Sequence, residues 1–127
     1  MSKSPPHQKI LVVEDDGAIL RLIETALTHE GYAVVTATDG EAALVRCVEE
    51  RPKVVILDVN LPKMDGFTVA KRLKGVDSLR QIPIIFLTAR DRPADIIAGI
   101  QAGARHYLTK PFNASELVRK VTKLLPQ

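Results

Sequence analysis

The stretch Val54-Val55-Ile56-Leu57-Asp58-Val59-Asn60-Leu61-Pro62-Lys63-Met64-Asp65-Gly66 decides how this chain folds. Val54 to Leu57 form an unbroken aliphatic run, mostly β-branched, which reads as a strand buried on both faces. That is the signature of a parallel sheet covered by helices. Asp58 closes the strand. In such sheets ligands bind just outside the carboxyl ends of the strands, so a carboxylate at this point is aimed at a ligand. On position alone a second reading stays open, because aspartate is also a common turn-capping residue.

Working outward, Ile10-Leu11-Val12-Val13 reads as a first buried strand that breaks at Glu14-Asp15-Asp16-Gly17. Asp16 is suited to cap a helix carrying Ile19, Leu22, Ile23, Ala26 and Leu27 inward, with Gly31 as its left-handed stop. Ala33–Ala37 is a second strand. Thr38 and Glu41 have capping-box spacing, ahead of a helix with Ala43, Leu44, Cys47 and Val48 on one side that ends before Pro52. After Asp58, Asp65 is placed to cap a short helix with Phe67, Ala70 and Leu73, ending near Gly75. Ile82–Leu87 is a fourth strand, its Pro83 confined to the start. Pro93 suits the first turn of a helix with Ile96, Ile97 and Ile100 inward and Gly103 at its close. His106-Tyr107-Leu108 is a short fifth strand, and Asn113 with Glu116 starts a last helix burying Leu117, Val121 and Leu124.

Five strands alternating with five helices predict an α/β fold, a single doubly wound parallel sheet with helices on both faces. The commonest order for five such units is the flavodoxin-like 2-1-3-4-5, in which the chain reverses direction between the adjacent first and third strands and opens a crevice above them. The expected organisation is a flexible tail over residues 1–8, one domain over 9–125 and a short tail at 126–127. Composition agrees: 127 residues suffice for one domain with a sizeable core, and 46% hydrophobic with 26% charged residues is ordinary for a globular chain. No apolar run approaches the roughly 20 residues of a membrane span, and the first residues lack the apolar segment of a signal peptide. A cytoplasmic location is expected, with no membrane partner. Cys47, the only cysteine, rules out a disulfide framework or a thiolate metal site and reads as a small core residue.

Charge is divided unevenly. Residues 1–62 carry six Lys/Arg against ten Asp/Glu, whereas residues 63–127 carry twelve against five. The second half suits an acidic partner. Aromatics make up only 4% of the chain and do not interleave with basic runs, so a stacking surface for single strands, and direct nucleic-acid binding with it, is not expected.

The polar residues that follow the strands share one sheet edge: Glu14 and Asp15 after the first strand, Asp58 at the third, Thr88 after the fourth and Lys110 after the fifth. Clustered carboxylates repel one another unless a cation sits among them. Mg2+ suits such a place, because it takes oxygen ligands and needs few protein carboxylates beside water and a phosphate oxygen. Thr88 offers a hydroxyl and Lys110 a point charge for the remaining oxygens of a phosphoryl group.

Taken with Leu87-Thr88-Ala89, Ala102-Gly103-Ala104 and Tyr107-Leu108-Thr109-Lys110-Pro111-Phe112, these motifs resemble the response regulator receiver domains of two-component signalling, across residues 9–125. The resemblance implies a signalling phosphoacceptor rather than an enzyme acting on other substrates. Asp58 would accept a phosphoryl group from a sensor histidine kinase or a phosphotransfer protein and become an acyl phosphate. It implies Asp15 as direct Mg2+ ligand, Glu14 acting through water, and Asn60 completing the metal site together with Asp58. It further implies Thr88 as switch hydroxyl, Lys110 as phosphate-binding lysine and a cis peptide before Pro111. Tyr107 would turn inward with Thr88 and reshape the face made by the fourth helix, fifth strand and fifth helix. A downstream protein target or output domain would read that face, and a homodimer through it stays open.

Arg105 and His106 stand where many members of the family have acidic residues, which makes the face more basic, with Arg92, Arg105, Arg119 and Lys120 as candidates to line it. Arg90, near the mouth of the site, is a candidate to tune the lifetime of the acyl phosphate. His106, a lone imidazole, makes neither a metal site nor a general base. A hydrolase of the haloacid dehalogenase type would want a second aspartate where Asn60 stands, and a nucleotide or flavin phosphate would be repelled by Glu14-Asp15-Asp16. The alternative carried forward is a receiver-like interaction module that works without phosphorylation. The last helix is expected to end just before Gln127, leaving no output domain here, and both a stand-alone receiver and a domain of a longer regulator stay open.

Overall fold

The computed structural model describes residues 8–125, and within them the aliphatic runs become five parallel strands and the amphipathic stretches five helices. The expected tails, residues 1–8 and 126–127, lie outside the described residues except for Gln8. In chain order the elements are β1 (Lys9–Val13), α1 (Gly17–His29), β2 (Ala33–Ala37), α2 (Gly40–Glu50), β3 (Val54–Leu57), α3 (Gly66–Lys74), β4 (Ile84–Thr88), α4 (Pro93–Gln101), β5 (His106–Thr109) and α5 (Ala114–Leu124). The strands lie in the order β2-β1-β3-β4-β5, the doubly wound arrangement expected from the alternation. No helix among the described residues is long and apolar enough to cross a membrane.

Register brings the carboxyl ends to one edge, with β4 and β5 running two residues beyond the other three strands. Val13 stands opposite both Ala37 and Leu57, Leu57 opposite Phe86, and Thr88 opposite Thr109. The residue after each strand end therefore emerges at one edge. Side-chain alternation sends Leu11, Val13, Val55, Leu57, Ile84 and Phe86 to one side, against Ala43 and Cys47 of α2 and Val69, Ala70 and Leu73 of α3. Ile10, Val12, Val54, Ile56, Ile85 and Leu87 go to the other, against Ile23 and Leu27 of α1 and Leu117 and Val121 of α5. The sheet is thus the middle layer of three. Cys47 is fully buried, and burial pushes its thiol up to about 12, the inert core role expected of it.

Most helix starts follow the predicted caps. Asp16 accepts from the backbone N–H groups of Ala18 and Ile19, Asp65 from Thr68, and Asn113 from Ser115 and Glu116. α4 has no side-chain cap and begins on Pro93, whose missing N–H leaves one fewer donor to satisfy. Gly31 and Gly103 take the left-handed stops, with φ of 97° and 100°.

Several expectations are corrected. α2 is capped by Asp39, not Thr38: its carboxylate accepts from the Ala42 N–H at 2.8 Å, and Glu41 falls in the first turn. Leu22, Val48, Ile97 and Ile100 are exposed, because the arc of each helix in contact with the sheet is narrower than its apolar arc. On α4 the buried positions are Asp95 and Gly99. β4 begins at Ile84, leaving Pro83 outside, where its carbonyl accepts from the Val55 N–H at 3.0 Å. β5 runs one residue further, to Thr109, and Leu125 is buried more deeply than Leu124 at the end of α5.

Candidate functional site

The ladder of the sheet continues one step past the strand ends and carries the polar residues with it. The Glu14 N–H donates to the Ala37 carbonyl at 3.0 Å, Asp58 to Val13 at 3.1 Å and Lys110 to Thr88 at 2.8 Å. Their side chains are held by backbone pairing instead of by mobile loops. Glu14, Asp58 and Thr88 are buried, and Asp15 is exposed at the rim. One carboxylate oxygen from each of Glu14, Asp15 and Asp58 can lie within 4.8 Å of the others.

Lys110 bridges two of the acids. Its ammonium donates to Glu14 Oε1 at 2.8 Å and to Asp58 Oδ2 at 3.2 Å. Burial pulls the lysine down, yet the Glu14 hydrogen bond and the charges of Asp58 and Glu14 outweigh it and hold the group above the ordinary lysine value. Glu14 is held above the usual carboxylate range chiefly by burial, against its hydrogen bonds from Lys110 and the Asp16 N–H. The peptide bond between Lys110 and Pro111 is cis, as the resemblance implies.

An all-oxygen cluster of three carboxylates, open to solvent at Asp15, with one neighbouring cation suits a hard divalent ion. Glu14, Asp15 and Asp58 have the donor chemistry for Mg2+. Asn60 sits at the same mouth, its N–H donating to Asp58 Oδ1 at 3.2 Å.

The site rests on close backbone contacts. Gly66, at the start of α3, presses on the Asp58 peptide so tightly that a Cβ there would stand 2.3 Å from the Asp58 carbonyl oxygen, and its N–H donates to the Val59 carbonyl at 2.9 Å. Glycine is therefore required for close approach.

Thr88 accepts a long hydrogen bond from the Arg90 N–H, 3.4 Å. The Tyr107 hydroxyl donates to the Arg90 carbonyl at 2.9 Å, and its ring lies 5.9 Å from that of Phe86. That ring also fills the space beside Gly99, where a Cβ would meet Tyr107 Cδ2 at 2.6 Å. Thr88, Arg90, Tyr107 and α4 form one connected set next to the acids.

Sequence reading located every strand-end residue but missed three contacts. Arg90 donates through Nε to Asn60 Oδ1 at 2.8 Å, and its guanidinium lies 5.9 Å from the Phe67 ring centroid, close enough for a cation–π contact. Lys63, at φ 71°, pairs with Asp39 at 3.7 Å and ties the loop after β3 to the cap of α2. The seat of Tyr107 on Gly99 is the third; a glycine inside a helix was its available signal. Of the basic residues expected on the fourth-helix face, Arg92 is engaged by Asp95 at 3.0 Å, and Arg119 lines a groove between α1 and α5.

A family model, the response regulator receiver domain, matches residues 10–122. The chain is 42% identical over 119 residues to the alkaline phosphatase synthesis transcriptional regulatory protein PhoP of Bacillus subtilis, a match covering 94% of this chain and 49% of that protein. It spans about half the length of several curated relatives it matches. Among solved structures it is similar to the chemotaxis protein CheY4 of Vibrio cholerae, with TM-score 0.88, 34% identity and coverage of 94% of this chain and 99% of that one. It is similar also to the receiver domain of a sensor histidine kinase of Pseudomonas aeruginosa, solved with a magnesium ion coordinated in its active site cleft (TM-score 0.86, 34% identity, 93% of this chain and 97% of that one). With the family model covering most of the chain, and with strand order and strand-end acids in agreement, this chain belongs to the response regulator receiver domain family.

Proposed function

We propose that this receiver accepts a phosphoryl group on Asp58. A carboxylate oxygen of Asp58 attacks the phosphorus of a phosphohistidine on a sensor histidine kinase or phosphotransfer protein. The P–N bond breaks, its electron pair returns to the imidazole, and an acyl phosphate is left on Asp58. Phosphoryl transfer asks mainly for positioning and charge neutralisation. Lys110, already within hydrogen-bond reach of Asp58 Oδ2, is the residue that would follow the incoming oxygens. Mg2+, held by Glu14, Asp15, Asp58 and the Asn60 carbonyl, would supply the further positive charge that three acids and a phosphoryl group require.

The observation that carries this reading is the convergence of Glu14, Asp15, Asp58 and Lys110 at one sheet edge, since a turn-capping role for Asp58 explains none of the other three. Phosphorylation adds roughly 1.5 to 2 negative charges and new acceptor oxygens. Thr88 would turn toward them and release the Arg90 N–H, which bears on the Tyr107 hydrogen bond at the same residue. The α4–β5–α5 face would thereby shift between two populations that a downstream target or output domain reads. A cytoplasmic setting follows from these partners.

The test is incubation of the protein with Mg2+ and acetyl phosphate, followed by intact mass measurement. Wild type should gain one phosphoryl group, and Asp58→Asn should gain none. Equal gain in both would sink the assignment to Asp58. No gain in wild type would favour an interaction module that works without phosphorylation.

A further inference from the structure

Four of the five strands deliver a residue to the site described above, and the fifth, β2, leads through Thr38 to Asp39. Asp39 makes two contacts there. Its Oδ1 accepts the Ala42 N–H at 2.8 Å and caps α2, and its Oδ2 lies 3.7 Å from the Lys63 ammonium, in the loop between β3 and α3. Gly40, the next residue, meets the same loop with its backbone: a Cβ there would stand 2.6 Å from the Met64 carbonyl oxygen and 2.8 Å from Met64 Cβ. The start of α2 thus touches the loop at two consecutive residues, Lys63 and Met64.

That loop is drawn tight around Asn60. Between Asp58 and Gly66 its backbone closes two three-residue turns, with the Leu61 N–H on the Val59 carbonyl at 3.0 Å and the Met64 N–H on the Pro62 carbonyl at 2.8 Å. The first is centred on Asn60 and the second on Lys63, at φ 71°. A three-residue turn of that left-handed sense is rare and strained, and a residue with a Cβ keeps it only where its surroundings enforce it. At Lys63 and Met64 those surroundings are the first residues of α2. Because the Lys63 side chain is 60% exposed, its pair with Asp39 adds little to stability. What it supplies is a position.

We propose that Asp39 and Lys63 are positioning residues for the metal half of the site: the start of α2 holds the strained turn at Lys63, and that turn fixes Asn60, two residues beyond Asp58. Neither side chain is among those that would hold the ion or the phosphoryl group. This role rests on the phosphoacceptor reading above and makes the affinity for Mg2+ depend in part on α2, outside the acids themselves.

The test is a Mg2+ titration of the full chain, followed through the amide resonances of Asp58 and Asn60, with acetyl phosphate uptake by intact mass on the same samples. Lys63→Met removes a positive charge, which by electrostatics alone would tighten the binding of a cation. Positioning predicts the opposite sign, an affinity weaker by about threefold, the scale of one solvated ion pair. Asp39→Asn, which keeps a side-chain oxygen for the helix cap, should weaken binding by a similar factor, and Asp39→Asn/Lys63→Met no further than either change alone. Lys63→Arg keeps the pair and should bind as wild type does. In uptake, the Mg2+ concentration that gives half the maximal rate should rise by the same factor in Lys63→Met, while the rate at saturating Mg2+ changes less. An affinity in Lys63→Met equal to or above that of wild type would overturn the proposal, as would additive losses in the double variant. Wild type without Mg2+-dependent shifts at Asp58 and Asn60 removes the metal site and this role together. Phosphate uptake at Asp58 with unchanged Mg2+ affinity in Lys63→Met removes this role alone. Weaker Mg2+ binding in Lys63→Met, with no uptake by wild type, removes the phosphoacceptor reading alone.

Discussion

The Lys110 ammonium reaches 96 positions back along the chain to Glu14, at 2.8 Å, and holds Asp58 at 3.2 Å in the same grip. One cation thus serves two buried carboxylates, and removing it leaves both facing each other. Lys110→Ala should lower the stability of the divalent-free protein by on the order of 1–3 kcal/mol, the usual cost of stranding a partly buried charge. Urea unfolding at pH 7 would register this as a lower midpoint at unchanged slope.

Glu14→Gln should act in the opposite direction. Burial raises the folded-state pKa of Glu14 above its ordinary 4.5, so the folded protein binds the proton more tightly than the unfolded chain. The associated stability is present below the ordinary value and is lost as pH rises through the folded one. The variant escapes that loss and should melt a few degrees higher at pH 7 without divalent ions, for a gain on the order of 1 kcal/mol. Added Mg2+ should raise the melting temperature of wild type and do little for Glu14→Gln or Asp15→Asn. Calorimetry across a Mg2+ series checks both arms.

His106 gives a second pH signature, of opposite sign to that of Glu14. Its folded-state pKa lies below the ordinary 6.5, through burial first and its basic neighbours second. The stability it contributes is present above 6.5 and is lost as pH falls through the folded value. His106→Gln should therefore match wild type in slope above that pH and decline less steeply below it. Paired thermal melts between about pH 5 and 7.5 would reveal the difference, since all other carboxylates and imidazoles cancel between the two proteins.

Gly99→Ala pits helix propensity against packing. Alanine should gain up to about 1 kcal/mol inside a helix, but its Cβ would stand 2.6 Å from the Tyr107 ring, so the ring must leave its seat and its bond to the Arg90 carbonyl. The expected outcome is near-wild-type stability, displaced Tyr107 ring resonances and unchanged phosphate uptake at Asp58. Ring resonances identical to wild type would show that Tyr107 does not depend on this seat.

The sheet and the strand-end residues were legible because each rests on strong local rules. An unbroken aliphatic run has few alternatives to a buried strand, and the polar residue that ends it has to emerge at the carboxyl edge. What escaped were quantities that only packing sets. Ile97 and Ile100 obey helical spacing as well as Ile96 does, and nothing local says that α4 turns Asp95 and Gly99 inward instead. Asp39 and Thr38 are both good caps, and the choice depends on where the backbone leaves β2. The Arg90 contact to Asn60 joins loops thirty positions apart through a long flexible side chain, for which a sequence has no periodic signal.

The alternation described for the strands makes the sheet a partition as well as a core. Thr88 shares the parity of Ile84 and Phe86, and Tyr107 packs on that same side, so the hydroxyl and the ring occupy one compartment. A single residue inserted into β4 would exchange its two faces and deliver the hydroxyl to the compartment of α1 and α5, with Asp58 untouched. On the proposed function, such a protein would still take up phosphate but could not relay it to α4 through Thr88 and Tyr107. On that reading, the spacing between Phe86 and Thr88 counts for as much in signalling as the residues themselves.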